Sequence, residues 1–216
     1  MDSLSGVGVL DKAMAVLAAV EPGPRSLAGL VEATGLSRAT AHRLAVALEA
    51  HGLVRRDQEG RFTLGLRLIG LGHAAAEAVP GWLDARPALE WLREQTGESV
   101  QLFVRDGDER VCVESLEAPH ELRTIVPVGA RLPLDRGSAA HVLRPGAPGT
   151  RAGWVESVAE RQPGVSSVSA PVRDPEGRVV AAVSVSGPID RTSRAPGRRY
   201  GAAVVEAAAR ISAHLA

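Results

Sequence analysis

Cys112 is the only cysteine in 216 residues, so no disulfide can form within the chain and a cysteine-based zinc site is excluded. Flanked by Val111 and Val113, it reads as a packing thiol in a strand. Excess charge of either sign is missing too, since 25 basic residues balance 25 acidic ones. No global field argues for nucleic acid, and any such argument must be local. Lysine is nearly absent, with Lys12 alone beside 24 arginines; together with abundant alanine and glycine this hints at a GC-rich bacterial genome. No charged-then-apolar leader opens the chain and no apolar run approaches the ~20 residues that span a bilayer, so the expectation is a cytoplasmic protein with no membrane partner. The enzyme motifs G-x-S-x-G, H-E-x-x-H, G-x-x-x-x-G-K and G-x-G-x-x-G after a strand are all missing. The expectation is therefore no catalytic residue, no metal and no cofactor. Ser138 and His141, three residues apart, are the one Ser/His pair worth naming for a rival enzyme reading, and a surface histidine explains that pair better.

What is present is concentrated in Ser26 to Gly52, SLAGLVEATGLSRATAHRLAVALEAHG. Ser26 is a good N-cap, with Leu27, Leu30 and Val31 on one face behind it. Gly35 ends this helix by permitting positive φ, and Ser37 caps a second helix. There Ala41, Leu44, Ala45 and Leu48 recur at helical spacing and face a core, which leaves Arg38, Thr40, His42 and Arg43 outside. Two short helices around a glycine turn match a helix-turn-helix whose second helix enters the major groove. Leu53 to Arg56 and Arg61 to Leu64 alternate around Asp57-Gln58-Glu59-Gly60 and read as a hairpin, making the motif winged. The competing reading is a helical hairpin that only packs, and the wing counts against it.

Across Arg38 to Arg61, five arginines face three acids, Glu49, Asp57 and Glu59. Arg38, Thr40, His42 and Arg43 are the candidates for base edges, where a bidentate arginine reads guanine. Ser26, Ser37, Arg55, Arg56 and Arg61 are the candidates for phosphates, a term that weakens with salt.

The length suits a small domain plus a medium one. The boundaries read as a winged helix-turn-helix over 1–64, a linker helix over 65–81 and a second domain over 82–216. Ser5 to Val20 carries Val9, Leu10, Ala13, Met14, Leu17 and Val20 at helical spacing, giving a helix that covers the motif from behind. Leu64 to Glu77 repeats Leu64, Leu68, Leu71 and Ala75 before Pro80-Gly81 breaks the chain, with His73 facing solvent. Beyond it, a helix runs over Leu83 to Thr96 with Leu89 and Leu92 inward. Strands follow over Ser99 to Arg105 and Arg110 to Ser115, paired through an Asp-Gly turn. Further strands read over Arg123 to Val126, Val168 to Val172 and Val179 to Ser186, and a helix from Pro196 to Leu215 closes the chain. Strands framed by helices give an α+β domain.

GSAAHVL, from Gly137 to Leu143, opens a short helix whose free amides suit a carboxylate. In VSVSGP, Ser184 and Ser186 share one strand face and valines the other. If the serine face is buried it needs a polar guest, because an unpartnered buried hydroxyl costs ~1 to 3 kcal/mol. The alternative is a half-exposed sheet with its serines in water.

TGLSRATAHRLAVALEAHGLV, GARLPLDRGSAAHVL and above all ERQPGVSSVSAPVRDPEGRVVAAVSVSGP closely resemble the IclR family of bacterial transcription regulators. GVGVLDKAMAVLAAV and TGESVQL are similar to an actinobacterial branch that responds to amino acids and controls leucine and other amino-acid biosynthesis genes. The resemblance covers nearly the whole chain. It implies a GAF-like α+β effector-binding domain, a homodimer or homotetramer on a double-stranded DNA operator, and a small-molecule effector, an amino acid or other small carboxylate. It also implies effector contacts from Ser138 and Ala139, from Ser157 and Ser167, and from Ser184 and Ser186. The chain departs from the family at Arg144 to Gly153, RPGAPGTRAG, where relatives continue a helix; a more open pocket mouth and weaker sensing are expected there. A ligand-binding protein of the same fold with impaired sensing is the alternative on that ground.

Overall fold

The computed structural model describes residues 5–79, 82–146 and 151–215. Two compact units divide the chain, Met1–Ala75 and Ala76–Ala216. In the first, three helices, α1 (Gly8–Val20), α2 (Leu27–Thr34) and α3 (Arg38–Ala50), precede a hairpin of β1 (Val54–Arg56) and β2 (Phe62–Leu64), and α4 (Arg67–Glu77) follows. Arg25 bridges to Phe62 and adds a third short stretch to the hairpin. Val16, Val20, Leu30, Leu44, Ala45, Leu48, Val54 and Phe62 form the core.

Two helices differ from the sequence expectation. α1 starts at Gly8, and only Val16 and Val20 are fully buried on it. Val9, Leu10 and Met14, expected to cover the motif, are 64%, 51% and 55% exposed. Helical spacing reports that a face is apolar but not which apolar residues meet this chain's own core. Leu64 belongs to β2, and α4 begins only at Arg67, because Gly65 packs against the backbone of Gly52 and Leu53 where a side chain has no room. Leu71 and Ala75 are exposed on α4, as is His73. The expected break at Pro80-Gly81 lies outside the described residues.

The second unit is built on one antiparallel sheet of six strands in the order β5-β4-β3-β8-β7-β6. These are β3 (Ser99–Asp106), β4 (Glu109–Leu116), β5 (Arg131–Pro133), β6 (Val155–Val158), β7 (Val165–Arg173) and β8 (Val179–Pro188). The helices are α5 (Trp82–Thr96), α6 (Ser138–Leu143), α7 (Ile189–Thr192) and α8 (Pro196–Ala213). The 123–126 segment is not a strand; the chain runs irregularly until β5 pairs with β4 at Val111↔Arg131. The short strand β6 and the one-turn helix α7 were not foreseen.

Period-two alternation divides the sheet. Val100, Leu102, Val168, Ala170, Val172, Val183 and Val185 pack with Leu89, Leu92, Val204 and Ile211 of α5 and α8 in the main core. On the opposite face, Phe103, Cys112 and Ala182 pack with Ala139, Ala140, Val142 and Leu143 of α6. The serines share this second face, so the serine side of β8 is a buried one.

Candidate functional sites

The DNA-reading surface is built by caps. Ser26 Oγ accepts from the amide of Gly29 at 3.2 Å, and Gly35 closes α2 with φ 66°. Ser37 Oγ accepts from the amide of Thr40 at 3.3 Å and lies 2.9 Å from Thr40 Oγ1. A cap uses one lone pair of each serine, so the caps fix the start of α3 and leave Ser26 and Ser37 exposed at the surface. Ala41, Leu44, Ala45 and Leu48 are buried. Arg38, His42 and Arg43 are exposed and Thr40 half-buried, with Ala39 and Val46 standing beside Arg43 on the outermost line of the helix. Sequence reasoning passed over those last two because they carry no donor, yet apolar side chains there suit a thymine methyl group.

In the wing, local pairing changes the picture of phosphate contacts. Arg56 Nε lies 3.3 Å from Glu49 Oε2, and its guanidinium sits 4.3 Å from the centre of the Phe62 ring. Arg61 pairs with Asp57 Oδ2 at 2.8 Å and Glu59 Oε2 at 3.0 Å. The three acids counted against the five arginines are thus all taken by Arg56 and Arg61, and Arg38, Arg43 and Arg55 carry the local positive charge. Exposed pairs of this kind are weak and can be exchanged for phosphates at small cost.

The second site is a cavity on the serine face of the sheet. Ser138 and Ala139 from α6, Ser157 from β6, Ser167 from β7 and Ser184 and Ser186 from β8 all line it. All of these but Ser167 are buried. Ser138 Oγ lies 2.7 Å from Ser167 Oγ and 2.8 Å from Ser169 Oγ, while Ser157 Oγ is 3.4 Å from Ser167 Oγ. Ser186 donates to Gln101 Oε1 at 3.0 Å. The cavity measures about 30 Å³. That is a narrow site, since one water alone needs ~10 to 15 Å³ on the same measure.

The expected carboxylate seat on free amides at the start of α6 is partly taken by the protein itself. Gly137 N donates to Glu160 Oε2 at 2.9 Å, and His141 Nε2 lies 2.8 Å from the same oxygen. Ser138 and His141 therefore face different partners and form no nucleophile–base pair. The chain after α6 bends at Arg144, which donates to Leu134 O at 2.9 Å; residues 147–150, the middle of the segment expected to open the mouth, lie outside the described residues.

Among the lining residues not foreseen, three carry polar side chains: Gln101, Arg110 and Arg161. Gln101 could have been found, because it alternates with Phe103 on the inner face of SVQLFVR. Arg110 shares the Cys112 face of β4 and is 2% exposed. Burial first, and then the charge of Arg161, pull its guanidinium down to about 10; burial also lowers Arg161. Arg161 sits in the loop between β6 and β7, where no periodicity betrays orientation. Cys112 is fully buried, and burial with the nearby Glu114 charge pushes its thiol up to about 12. Among the described residues no group of three metal-ligating side chains occurs, and no helix is long and apolar enough to cross a membrane.

Comparison with known proteins identifies both domains. Residues 9–58 match the IclR helix-turn-helix domain, and residues 82–145 and 149–213 match the bacterial transcriptional regulator IclR C-terminal domain. The regulator KipR of Bacillus subtilis is 34% identical over 118 residues, an alignment covering 55% of this chain and 47% of KipR. The glycerol operon regulatory protein of Streptomyces griseus is 29% identical, with 95% of each chain covered. A crystal structure of an IclR homologue from Microbacterium hydrocarbonoxydans complexed with 4-hydroxybenzoate has a TM-score of 0.78 at 23% identity, covering 96% of this chain and 98% of that one. The chain belongs to the IclR family of transcriptional regulators, with an N-terminal helix-turn-helix and a C-terminal effector-binding α+β domain, and is not an enzyme.

Proposed function

We propose that the protein binds a specific DNA operator through α3 and the wing, and that a small carboxylate in the serine-lined cavity sets its operator affinity. The carrying observation is that four segments distant in sequence deliver their hydroxyls to one cavity that also holds two guanidiniums. Base edges fall to Arg38, Thr40, His42 and Arg43. Phosphates fall to Ser26, Ser37 and Arg55, with Arg56 and Arg61 joining once they leave their acids. The proposed division is a winged helix-turn-helix domain over 1–64, a linker over 65–81 that contains α4, and a GAF-like domain over 82–216. A small carboxylate is supported by the 4-hydroxybenzoate held by the Microbacterium homologue. An amino-acid effector and control of amino-acid genes rest on the likeness of GVGVLDKAMAVLAAV and TGESVQL alone, and among the described residues no acid lines the cavity to receive an ammonium group.

Exposed Val7, Val9, Leu10 and Met14 beside α1 and on it, with Leu66, Ile69 and Leu71 before α4 and on it, support a homodimer or larger homo-oligomer. An effector changes the operator equilibrium only through its differential affinity for the two forms. The test is operator binding with and without carboxylates. A shift of the binding curve that Ser184→Val and Ser186→Val abolish supports the reading; a curve indifferent to every acid counts against it.

A further inference from the structure

The effector reading names a cavity; its lining narrows the chemistry of what enters, and this inference rests on that reading. We propose that the occupant is a compact dianion with no ammonium group, held between Arg110 and Arg161 and capped by Gln101 and the serine hydroxyls. Both guanidiniums line the cavity, and among the described residues no Asp or Glu does. The nearest acids are committed elsewhere: Asp135 pairs with Arg136 at 3.0 and 2.7 Å, and Glu160 with Gly137 N and His141. Arg110 Nη1 donates to Pro133 O, but its Nε is buried without a partner among the described residues, as is Gln101 Nε2.

The Ser186 hydroxyl takes one lone pair of Gln101 Oε1, so what is left wholly unmet on the glutamine is its amide nitrogen with two hydrogens to donate. The buried atoms of the lining left without partners, Gln101 Nε2 and Arg110 Nε, are both donors, and two of the lining side chains are guanidiniums. Buried donors without partners demand acceptors, and the charge of Asp135 raises Arg110 by less than burial and Arg161 lower it, so the two guanidiniums favour a doubly charged anion. An ammonium would meet like charge on both sides and no carboxylate. Phe103, Val126 and Leu132 supply an apolar wall for a short carbon spacer.

Titration calorimetry on the full chain with malonate, succinate, inorganic phosphate, butyrate and aspartate tests this. Butyrate removes one charge from succinate, and aspartate adds an ammonium to it. A dicarboxylate or phosphate binding at least tenfold more tightly than both butyrate and aspartate is expected, and the order of dicarboxylate and phosphate identifies the source of the dianion. Arg161→Gln should erase that preference and Arg161→Lys keep most of it, with the thermal transition showing each variant folded. Equal affinity for butyrate or aspartate, an unchanged preference in Arg161→Gln, or no binding by any of the five overturns the proposal. Butyrate bound through Ser184 and Ser186 with indifference to Arg161 would sink the dianion while leaving the effector cavity standing.

Discussion

Arg43 and Arg55 separate the two kinds of DNA contact at the scale of single residues. Arg43 is exposed in the middle of the outward face of α3, whereas Arg55 is exposed on a strand of the wing. Arg43→Ala should cost ~1 to 3 kcal/mol on the preferred site and little elsewhere, relaxing sequence preference. Arg55→Ala should weaken every duplex alike and reduce the salt slope by about one unit. Anisotropy titrations on two duplexes at three salt concentrations measure both, and equal losses from both variants would contradict the division. Arg56→Ala should do less than Arg55→Ala, because Glu49 and the Phe62 ring already hold Arg56. Cys112 gives an independent check on burial. The thiolate is the reactive form, and a group held near 12 exposes almost none of it at pH 8. Its stability contribution follows from the sign: a thiol raised by burial stays neutral in the fold, so raising pH through the ordinary thiol range favours the unfolded chain, which ionises there. Ellman's reagent should leave Cys112 untouched in the native protein and react fully in guanidinium.

Close packing and chain reversal decide the elements. α8 carries Gly197 and Gly201, and a Cβ at either would overlap the indole of Trp154. Gly201→Ala should therefore cost ~1 to 3 kcal/mol by overpacking, seen as a lower Tm in a calorimetric melt; an unchanged Tm would mean that Trp154 moves aside freely. The helix-turn-helix was legible to within a residue or two, since Ser26, Gly35 and Ser37 punctuate it and the 3.6-residue period fills in the rest. The valine and serine faces of β8 were legible for the same reason, period two being unambiguous over VVAAVSVSGP. What the pattern could not give is which residues a three-dimensional neighbour claims. Glu49 lies seven residues from Arg56, Glu160 lies 23 from Gly137, and neither pairing follows from local spacing. Arg110 was hidden because a buried guanidinium looks on paper like an exposed one, and β5 because a three-residue strand carries too few positions to show alternation.

For the whole molecule, the apolar residues of α1 that do not enter the core have to be accounted for. Val9, Leu10 and Met14 exposed together on one short helix cost solubility unless another copy covers them. Light scattering should give at least twice the chain mass of 22.5 kDa, and Met14→Glu should lower it; a monomeric wild-type protein would contradict the assembly. A dimer also presents two copies of α3, which fixes half-sites ~10 base pairs or a multiple apart. The central claim, that α3 reads a duplex, is tested most directly by fluorescence anisotropy on the DNA upstream of the protein's own coding sequence against a scrambled duplex. The account predicts a preference of ~10³-fold or more for the upstream DNA, reduced ~5- to 150-fold in Arg43→Ala. Equal affinity for both duplexes, or a preference undiminished by the loss of Arg43, would contradict it.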